Sequence, residues 1–251
     1  MLKAKDIRVE VISVQDARRI IKSLHYSGKV DPRSSVNLGI FLNGKCGGAI
    51  QMGTPIDKRK AIGIVAGTKW DELLDIHRLA LADWLPRNSE SRAIAYSLKL
   101  VKKRYPQLKW VQSYADATQC GDGTIYRASG FHLISIKPNS SMYRMPDGNV
   151  VCKLVLEPSF SPNSKAGGLK ARYGKTGSET ATAFLKDIGA KLLDGFQLRY
   201  IFFYDDAEKK NLTVPILPYT IIKEMKAGMY KGHQTDRPIG EKVSRQTSSL
   251  E

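Results

Sequence analysis

Between Leu73 and Ile136, strand-length apolar runs alternate with helical ones, and that alternation confines the chain to folds that mix sheet and helix around one core. Leu73 to Trp84 is a mostly apolar run and reads as a buried strand. Ser89 to Tyr105 places Ile94, Leu98 and Val101 on one helical face, and Pro106 ends that helix because its ring cannot continue it. Leu108 to Tyr114 predicts a strand, Gly123 to Ser129 a short helix closed by Gly130, and Phe131 to Ile136 a further strand.

The flanks extend this pattern. Arg8 to Ser13 reads as a strand, after which Ser13 and Asp16 open a helix whose Ala17, Ile20, Ile21 and Leu24 recur at helical spacing. Gly28 and Asp31-Pro32 mark a loop. Val36 to Leu42 and Cys46 to Met52 flank Asn43-Gly44, a strong hairpin signal. Ala61 to Ala66 reads as a short strand after the basic turn Asp57-Lys58-Arg59-Lys60, and Val150 to Leu156 as another after the Asp147-Gly148 turn. The expected fold is a mixed α/β sheet of about six or seven strands.

After Glu157 the composition shifts to Pro, Ser and Gly, with Lys165, Lys170, Arg172 and Lys175 unopposed by acid. A flexible basic loop is expected over 158–178. Glu179 to Leu193 then predicts a helix and Phe196 to Tyr204 an aromatic-rich strand. The organisation that follows is a catalytic core over 1–157, the loop, a helix and strand packed on the core over 179–230, and a polar frayed tail over 231–251.

Charge narrows the partners. Forty Lys and Arg against 24 Asp and Glu leave a net charge of +16, which favours a polyanion. Apolar runs such as Ile201-Phe202-Phe203-Tyr204 are strand-sized, so a membrane is not the expected partner. Nucleic acid is. Basic residues cluster at Lys58-Arg59-Lys60, at Lys102-Lys103-Arg104 and through the loop holding Lys170 and Arg172, a pattern suited to tracking phosphates. The three cysteines are far apart, which argues against a disulfide framework or a zinc ribbon, and the four histidines show no ligand spacing, so no metal is assigned. Without the apolar core of a signal peptide at the N-terminus, a reducing cytoplasm is the expected compartment.

Four segments carry candidate chemistry. In Leu85 to Ala93, small and polar residues open a helix whose first amides favour a phosphate, and Arg87 and Arg92 add fork-shaped donors. The plainer reading is capping by Asn88 or Ser89. In Leu24-His25-Tyr26-Ser27-Gly28, His25 exchanges protons near neutral pH or simply interacts with the helix end. Ser113-Tyr114-Ala115-Asp116 lies at the C-terminal end of a buried strand, where open α/β sheets place their sites; alternatively Asp116 only starts a turn. The fourth segment is Gly123 to Phe131.

Tyr126 through Phe131, preceded by strand, loop, helix and strand, resembles the acyl-coenzyme A N-acyltransferase (GNAT) superfamily over roughly residues 8–157. The resemblance implies a GNAT-like fold with a C-terminal extension, Tyr126 as the donor-side acid, and a donor loop at Arg87 to Ala93. The superfamily's loop is usually glycine-rich, whereas Ser89-Glu90-Ser91 stands here, and Glu90 opposes a pyrophosphate. An acyl-coenzyme A-type donor is therefore one option and the donor stays unassigned. His25 to Gly28, Trp84 to Arg92, Ser113 to Asp116 and Gly123 to Tyr126 together are similar to the narrower Mom family. Those phage and prophage proteins convert adenine in DNA to its N6-carbamoylmethyl form, shielding it from restriction enzymes.

That resemblance implies double-stranded DNA and a small-molecule group donor as partners. The adenine amine is a weak nucleophile, so a base must take its proton as the new bond forms. Asp116 or His25 is the expected base, with Ser113 beside them. Arg87, Asn88, Ser89, Ser91 and Arg92 would hold the donor. Tyr26 or Tyr114 would stack on an extruded base. Two rivals remain: an N-acetyltransferase acting on a protein or small amine, and a non-catalytic basic DNA-binding protein.

Overall fold

The computed structural model describes residues 3–157, 165–175, 179–230 and 233–234. The first strand, β1 (Arg8–Val11), leads into helix α1 (Val14–Leu24), whose N-cap Ser13 accepts the Asp16 N–H through its side chain. β2 (Ser34–Leu42) and β3 (Lys45–Gly53) form the expected hairpin. Asn43 and Gly44 both take positive φ there, as the tight turn requires.

The short run at 61–66 is not a strand. Residues Lys58–Ile62 form helix α2, capped by Asp57 accepting the Lys60 N–H at 3.1 Å, and Val65 makes only an isolated bridge to Leu212. A short apolar run carries no period that separates strand from helix. What decides is packing: Ala61, Ile64 and Val65 bury against Leu73 and Trp110.

β4 (Leu73–Leu81), α3 (Ser89–Arg104) and β5 (Trp110–Ala117) make one strand–helix–strand crossover, so β4 and β5 run parallel. The rest of the core follows with α4 (Thr124–Arg127) and β6 (His132–Pro138). β7 (Met142–Arg144), β8 (Val150–Cys152) and, later, β9 (Lys191–Leu192) form a separate three-stranded sheet. The strand expected over 150–156 thus stops at Cys152 and lies outside the main sheet. Helices α5 (Lys165–Ala171) and α6 (Ala181–Asp187) accompany that small sheet, whose Met145, Val151, Phe184 and Leu185 form a core of their own.

Part of the expected flexible loop is therefore helical, while 158–164 and 176–178 lie outside the described residues. The helix expected over 179–193 is shorter, starting at the Thr180 cap and ending before Gly189, whose φ is +68°. Of the expected tail, only 233–234 is described.

β10 (Phe196–Phe203) returns to the main sheet and inserts between β5 and β6, antiparallel to both. The order is β1-β2-β3-β4-β5-β10-β6. The sheet thus crosses the division expected at residue 157, because β5 and β6 are held together only through β10. Helix α3 packs its Ala93, Ile94, Leu98 and Val101 on one face, against Leu74, Ile76, Val111 and Ala115. Helix α1 lies on the other, where Ile21 meets Ala49 and Ala80.

Candidate active site

β4 and β5 pair only from Leu73–Trp110 to Ile76–Ser113. Beyond that point β4 follows β3 and β5 follows β10, so the two parallel strands part and leave a gap that opens toward their C-terminal ends. A register shift near His77 lets β4 turn away. Ser113, whose hydroxyl donates to the Ile76 carbonyl at 3.4 Å, marks the apex. Brackets of this kind at strand C-termini are where open sheets hold ligands.

The helix α1 side of the gap carries Asp116. Its Oδ1 accepts from Gln197 Nε2 at 2.7 Å, Thr118 Oγ1 at 2.6 Å and Thr118 N at 3.0 Å. Its Oδ2 accepts only two longer bonds, from the Tyr26 hydroxyl at 3.3 Å and Gln119 Nε2 at 3.4 Å. Oδ1 is saturated and locks the carboxylate in place; Oδ2 keeps capacity to take a proton. Asp116 lies near the end of β5 and also opens the turn that follows, its carboxylate accepting the Thr118 N–H and its carbonyl the N–H groups of Gln119 and Cys120.

His25 is the C-cap of α1, its ring 4.3 Å from that of Tyr26. Burial, helped by the Arg78 charge and opposed by Asp116, pushes His25 down to about 4, so the ring is neutral at pH 7. Nδ1 accepts the Ser27 N–H at 3.2 Å. Assigning the tautomer from that bond leaves the ring proton on Nε2. His25 therefore presents a donor, and of the two expected bases only Asp116 is arranged to accept a proton.

Tyr126 lies elsewhere. Successive residues of a strand face opposite ways, so Ser113, Ala115 and Ala117 point to the α3 side while Gln112, Tyr114 and Asp116 point to the α1 side. Tyr126 packs on the α3 side, in the core with Phe131 and Tyr200 at 5.5 Å each. Burial pushes its hydroxyl up to about 12, partly offset by the neighbouring Ser113 side chain. Of the residues expected in the site, Asp116, Tyr26 and His25 meet on one face of the sheet, while Ser113 and Tyr126 lie on the other. The gap between β4 and β5 is what joins the two.

At the start of α3, Asn88 is the N-cap with a left-handed φ of +69° and makes no side-chain cap. Ser89 is buried, and its hydroxyl donates to the Pro86 carbonyl at 2.6 Å rather than toward a ligand. The Ser91 hydroxyl donates to the Asn88 carbonyl. Arg92 donates to the Tyr96 hydroxyl at 3.1 Å and, like Arg87, is exposed. The loop fits a phosphate at its uncapped helix end and opposes one through Glu90 in the first turn.

The basic clusters do not border the gap. Lys102 donates to the carbonyls of Pro106 and Leu108 at 2.6 and 2.7 Å, finishing the far end of α3. Lys103 and Arg104 are exposed at that same end. Lys58 lies 4.8 Å over the Trp70 ring, Lys60 pairs with Asp57, and Arg59 is exposed, all on α2 beneath the opposite ends of the strands. Lys170 is buried, donates to the Glu179 carbonyl and faces the Phe184 ring, so it belongs to the core beside the small sheet; Arg172 is exposed.

Sequence reasoning missed a buried polar row on the α1 face. Asp75 of β4 accepts from Gln112 Nε2 at 3.3 Å, and Gln112 Oε1 accepts from Arg199 of β10 through Nε at 3.1 Å and through Nη2. Arg199 in turn lies 5.3 Å over the Tyr114 ring. Burial raises Asp75 to about 7, and its Oδ1 has no hydrogen-bond partner among the described residues. The only signal in the chain was that Asp75 and His77 interrupt an apolar strand at spacing two. Among the described residues no group of three or more His, Cys, Asp or Glu gathers as a metal ion requires, and no helix is long and apolar enough to cross a membrane.

Comparison with known proteins adds three findings. A sequence profile of the Mom protein family matches residues 6–221. The methylcarbamoylase Mom of Escherichia phage Mu is 33% identical over 214 residues, covering 85% of this chain and 82% of that protein. Among solved structures, an IAA acetyltransferase from Bacillus cereus matches with a TM-score of 0.41 and 10% identity over 78% of this chain and 99% of that one. A GNAT-family acetyltransferase from Streptococcus pneumoniae matches with a TM-score of 0.37 and 13% identity, over 54% and 90% respectively.

Proposed function

The chain belongs to the Mom protein family, and on that premise we propose that it modifies the exocyclic N6 amine of adenine in DNA by carbamoylmethylation. The observation that carries the reading furthest is the Asp116 carboxylate. The Gln197 amide and the Thr118 hydroxyl and backbone amide hold its Oδ1, while Oδ2 takes only the longer bonds from the Tyr26 hydroxyl and Gln119 and keeps room for a proton. Proton removal from a poorly nucleophilic amine needs such a group, fixed in position before the reaction.

In this reading the adenine approaches from the α1 side and the donor from the α3 side. Asp116 Oδ2 takes the amine proton as the nitrogen bonds to the donor's methylene carbon and that carbon's bond to the leaving group breaks, the leaving group departing toward Tyr126. His25 Nε2–H and Arg78 lie close enough to stabilise negative charge beside Asp116. Tyr126, kept protonated by burial, supplies a proton on the donor side, positioned by Ser113. The loop from Arg87 to Arg92 holds the donor through the first amides of α3.

The protein would act on duplex DNA in the cytoplasm of a phage-infected host, protecting phage DNA from restriction. Adenine must leave the stack to reach a gap recessed within the sheet. Nucleoside mass spectrometry of DNA from cells expressing the protein tests this directly. A modified adenosine of the carbamoylmethyl mass is expected. Unmodified DNA, with turnover on a peptide or small amine instead, would favour an acetyltransferase and refute the reading.

A further inference from the structure

Tyr26 and Tyr114 are both exposed aromatic residues beside Asp116, at 48% and 47%, so exposure does not decide which of them meets the base. Their other contacts do. The Tyr26 ring lies against the His25 ring, and its hydroxyl is committed to Asp116 Oδ2. Tyr26 is thereby occupied in orienting the carboxylate. The Tyr114 ring is backed by the Arg199 guanidinium across the β5–β10 register, where the two residues are direct partners.

Arg199 is not free to wander. Two of its donors end on Gln112 Oε1, which fixes the Gln112 amide so that Nε2 points at Asp75. Gln112 and Asp75 are almost wholly buried. A long cationic side chain under an exposed ring would normally cost rotamer entropy to hold, and this row of buried partners absorbs that cost within the fold. The arrangement makes little sense as core packing. It spends a buried carboxyl, a buried amide and a guanidinium on the orientation of one exposed ring.

The spacing fits a base. Tyr114 and Asp116 are alternate residues on one face of β5, so their side chains rise about 6.7 Å apart along the strand. A purine laid over the Tyr114 ring would extend its exocyclic amine over that distance, into hydrogen-bond reach of Asp116. A cation beneath the ring withdraws density from the opposite π-face and favours an electron-rich base there.

We propose that Tyr114 is the platform on which the extruded adenine lies, and that Arg199, tethered through Gln112 to Asp75, is a positioning residue that sets the platform's plane. This rests on the reading of the protein as a DNA adenine-modifying enzyme.

The test uses the full chain and fluorescein-labelled duplexes carrying a sequence at which modified adenines map. One duplex pairs the target adenine normally; the other places it opposite an abasic position, which removes the unpairing cost. The wild-type protein should bind the abasic-partner duplex more tightly. Tyr114→Ala should lose affinity for that duplex by roughly 5- to 150-fold, the range for one base–aromatic stack, and lose modification in cells. Tyr114→Phe should recover most of the affinity. Gln112→Leu, with Arg199→Lys as a second variant should the first not fold, should lower affinity for the same duplex by a smaller factor at unchanged affinity for unrelated DNA. Tyr114→Ala that keeps its preference for the abasic-partner duplex would overturn the inference, whether or not activity falls. Absence of modified adenine with the wild-type protein would instead overturn the underlying function.

Discussion

The two faces of the central sheet differ in kind. Under α3, the alternating residues of β4 and β5 are Leu74, Ile76, Val111, Ser113 and Ala115, and they join the large apolar core. On the α1 side the intervening positions are Asp75, His77, Gln112, Tyr114 and Asp116, where polar groups bond to one another across three strands. One face stabilises the fold and carries two hydroxyls of the proposed site, those of Ser113 and Tyr126. The other carries nearly all the groups able to recognise or deprotonate a substrate. In the proposed mechanism the two faces meet where β4 and β5 part, beyond the Ile76–Ser113 pair.

If that division of labour is right, damage on the α1 face should remove activity and spare stability. The largest effect expected is for Asp116→Asn. The amide keeps the shape and can still receive the Gln197 bond at Oδ1, but it cannot take a proton. Modification should fall by roughly 10²-fold or more, the usual scale for loss of a general base. Thermal melting and duplex affinity should stay near wild type. Normal amounts of modified adenosine in DNA from cells expressing Asp116→Asn would end the role assigned to this carboxylate, and a large fall in melting temperature would make it structural.

On the α3 face the reverse should hold. Gly123 opens α4 with a φ of +84°, and a Cβ there would lie 2.4 Å from Cε2 of Tyr200. Gly123→Ala combines left-handed strain with overpacking against a fully buried ring and should destabilise by about 2–4 kcal/mol. Gly148→Ala is the control: its φ is +83°, but nothing lies within 4 Å of the added carbon. It should cost only about 1–2 kcal/mol, the strain alone. Denaturant midpoints of the two variants give the comparison, and equal losses would mean that Tyr200 can yield.

The same two-sidedness explains what could be read in advance. Local chemistry was legible: Asn43-Gly44 fixed a hairpin, Ser13 and Asp16 a helix start, Pro106 a helix end. His25, Tyr26 and Asp116 also stood out in the sequence as chemistry-bearing residues near element ends, and the fold brings the three together. What escaped depended on distant pairing. Residues 61–66 read as a strand because a short apolar run has no period, and Trp110 and Leu73 made them helix and turn instead. No local signal places β10 between β5 and β6, and Arg199 meets Gln112 and Tyr114 only because it does. Lys170 and Lys102 read as members of phosphate-tracking clusters, but each ammonium donates to backbone carbonyls of its own fold.

The smallest effect should appear in the pH dependence of stability, where two groups on the α1 face oppose each other. His25 falls from an ordinary value of 6.5 to about 4 on folding, so the unfolded chain binds its proton more readily. Its contribution is fully present above pH 6.5 and is lost as pH drops toward 4. Asp75 rises from 3.8 to about 7, so the folded chain holds that proton more tightly. Its contribution is fully present below pH 3.8 and is lost as pH climbs toward 7. Across the shared window the two slopes have opposite sign, while burial of His77 and His132 adds slope of the His25 sign, so the effect is read as a change from wild type. His25→Gln should make the slope of stability with pH more negative than that of wild type, and Asp75→Asn more positive. Neither change in slope should exceed about 1.4 kcal/mol per pH unit, the limit for a single proton, and the partial exposure of His25 should keep its share well below that. Melting temperatures of the three proteins between pH 4 and 7.5 measure this. Curves that run parallel in all three would show that neither group changes its proton affinity on folding, and would remove the electrostatic distinction drawn between the two faces.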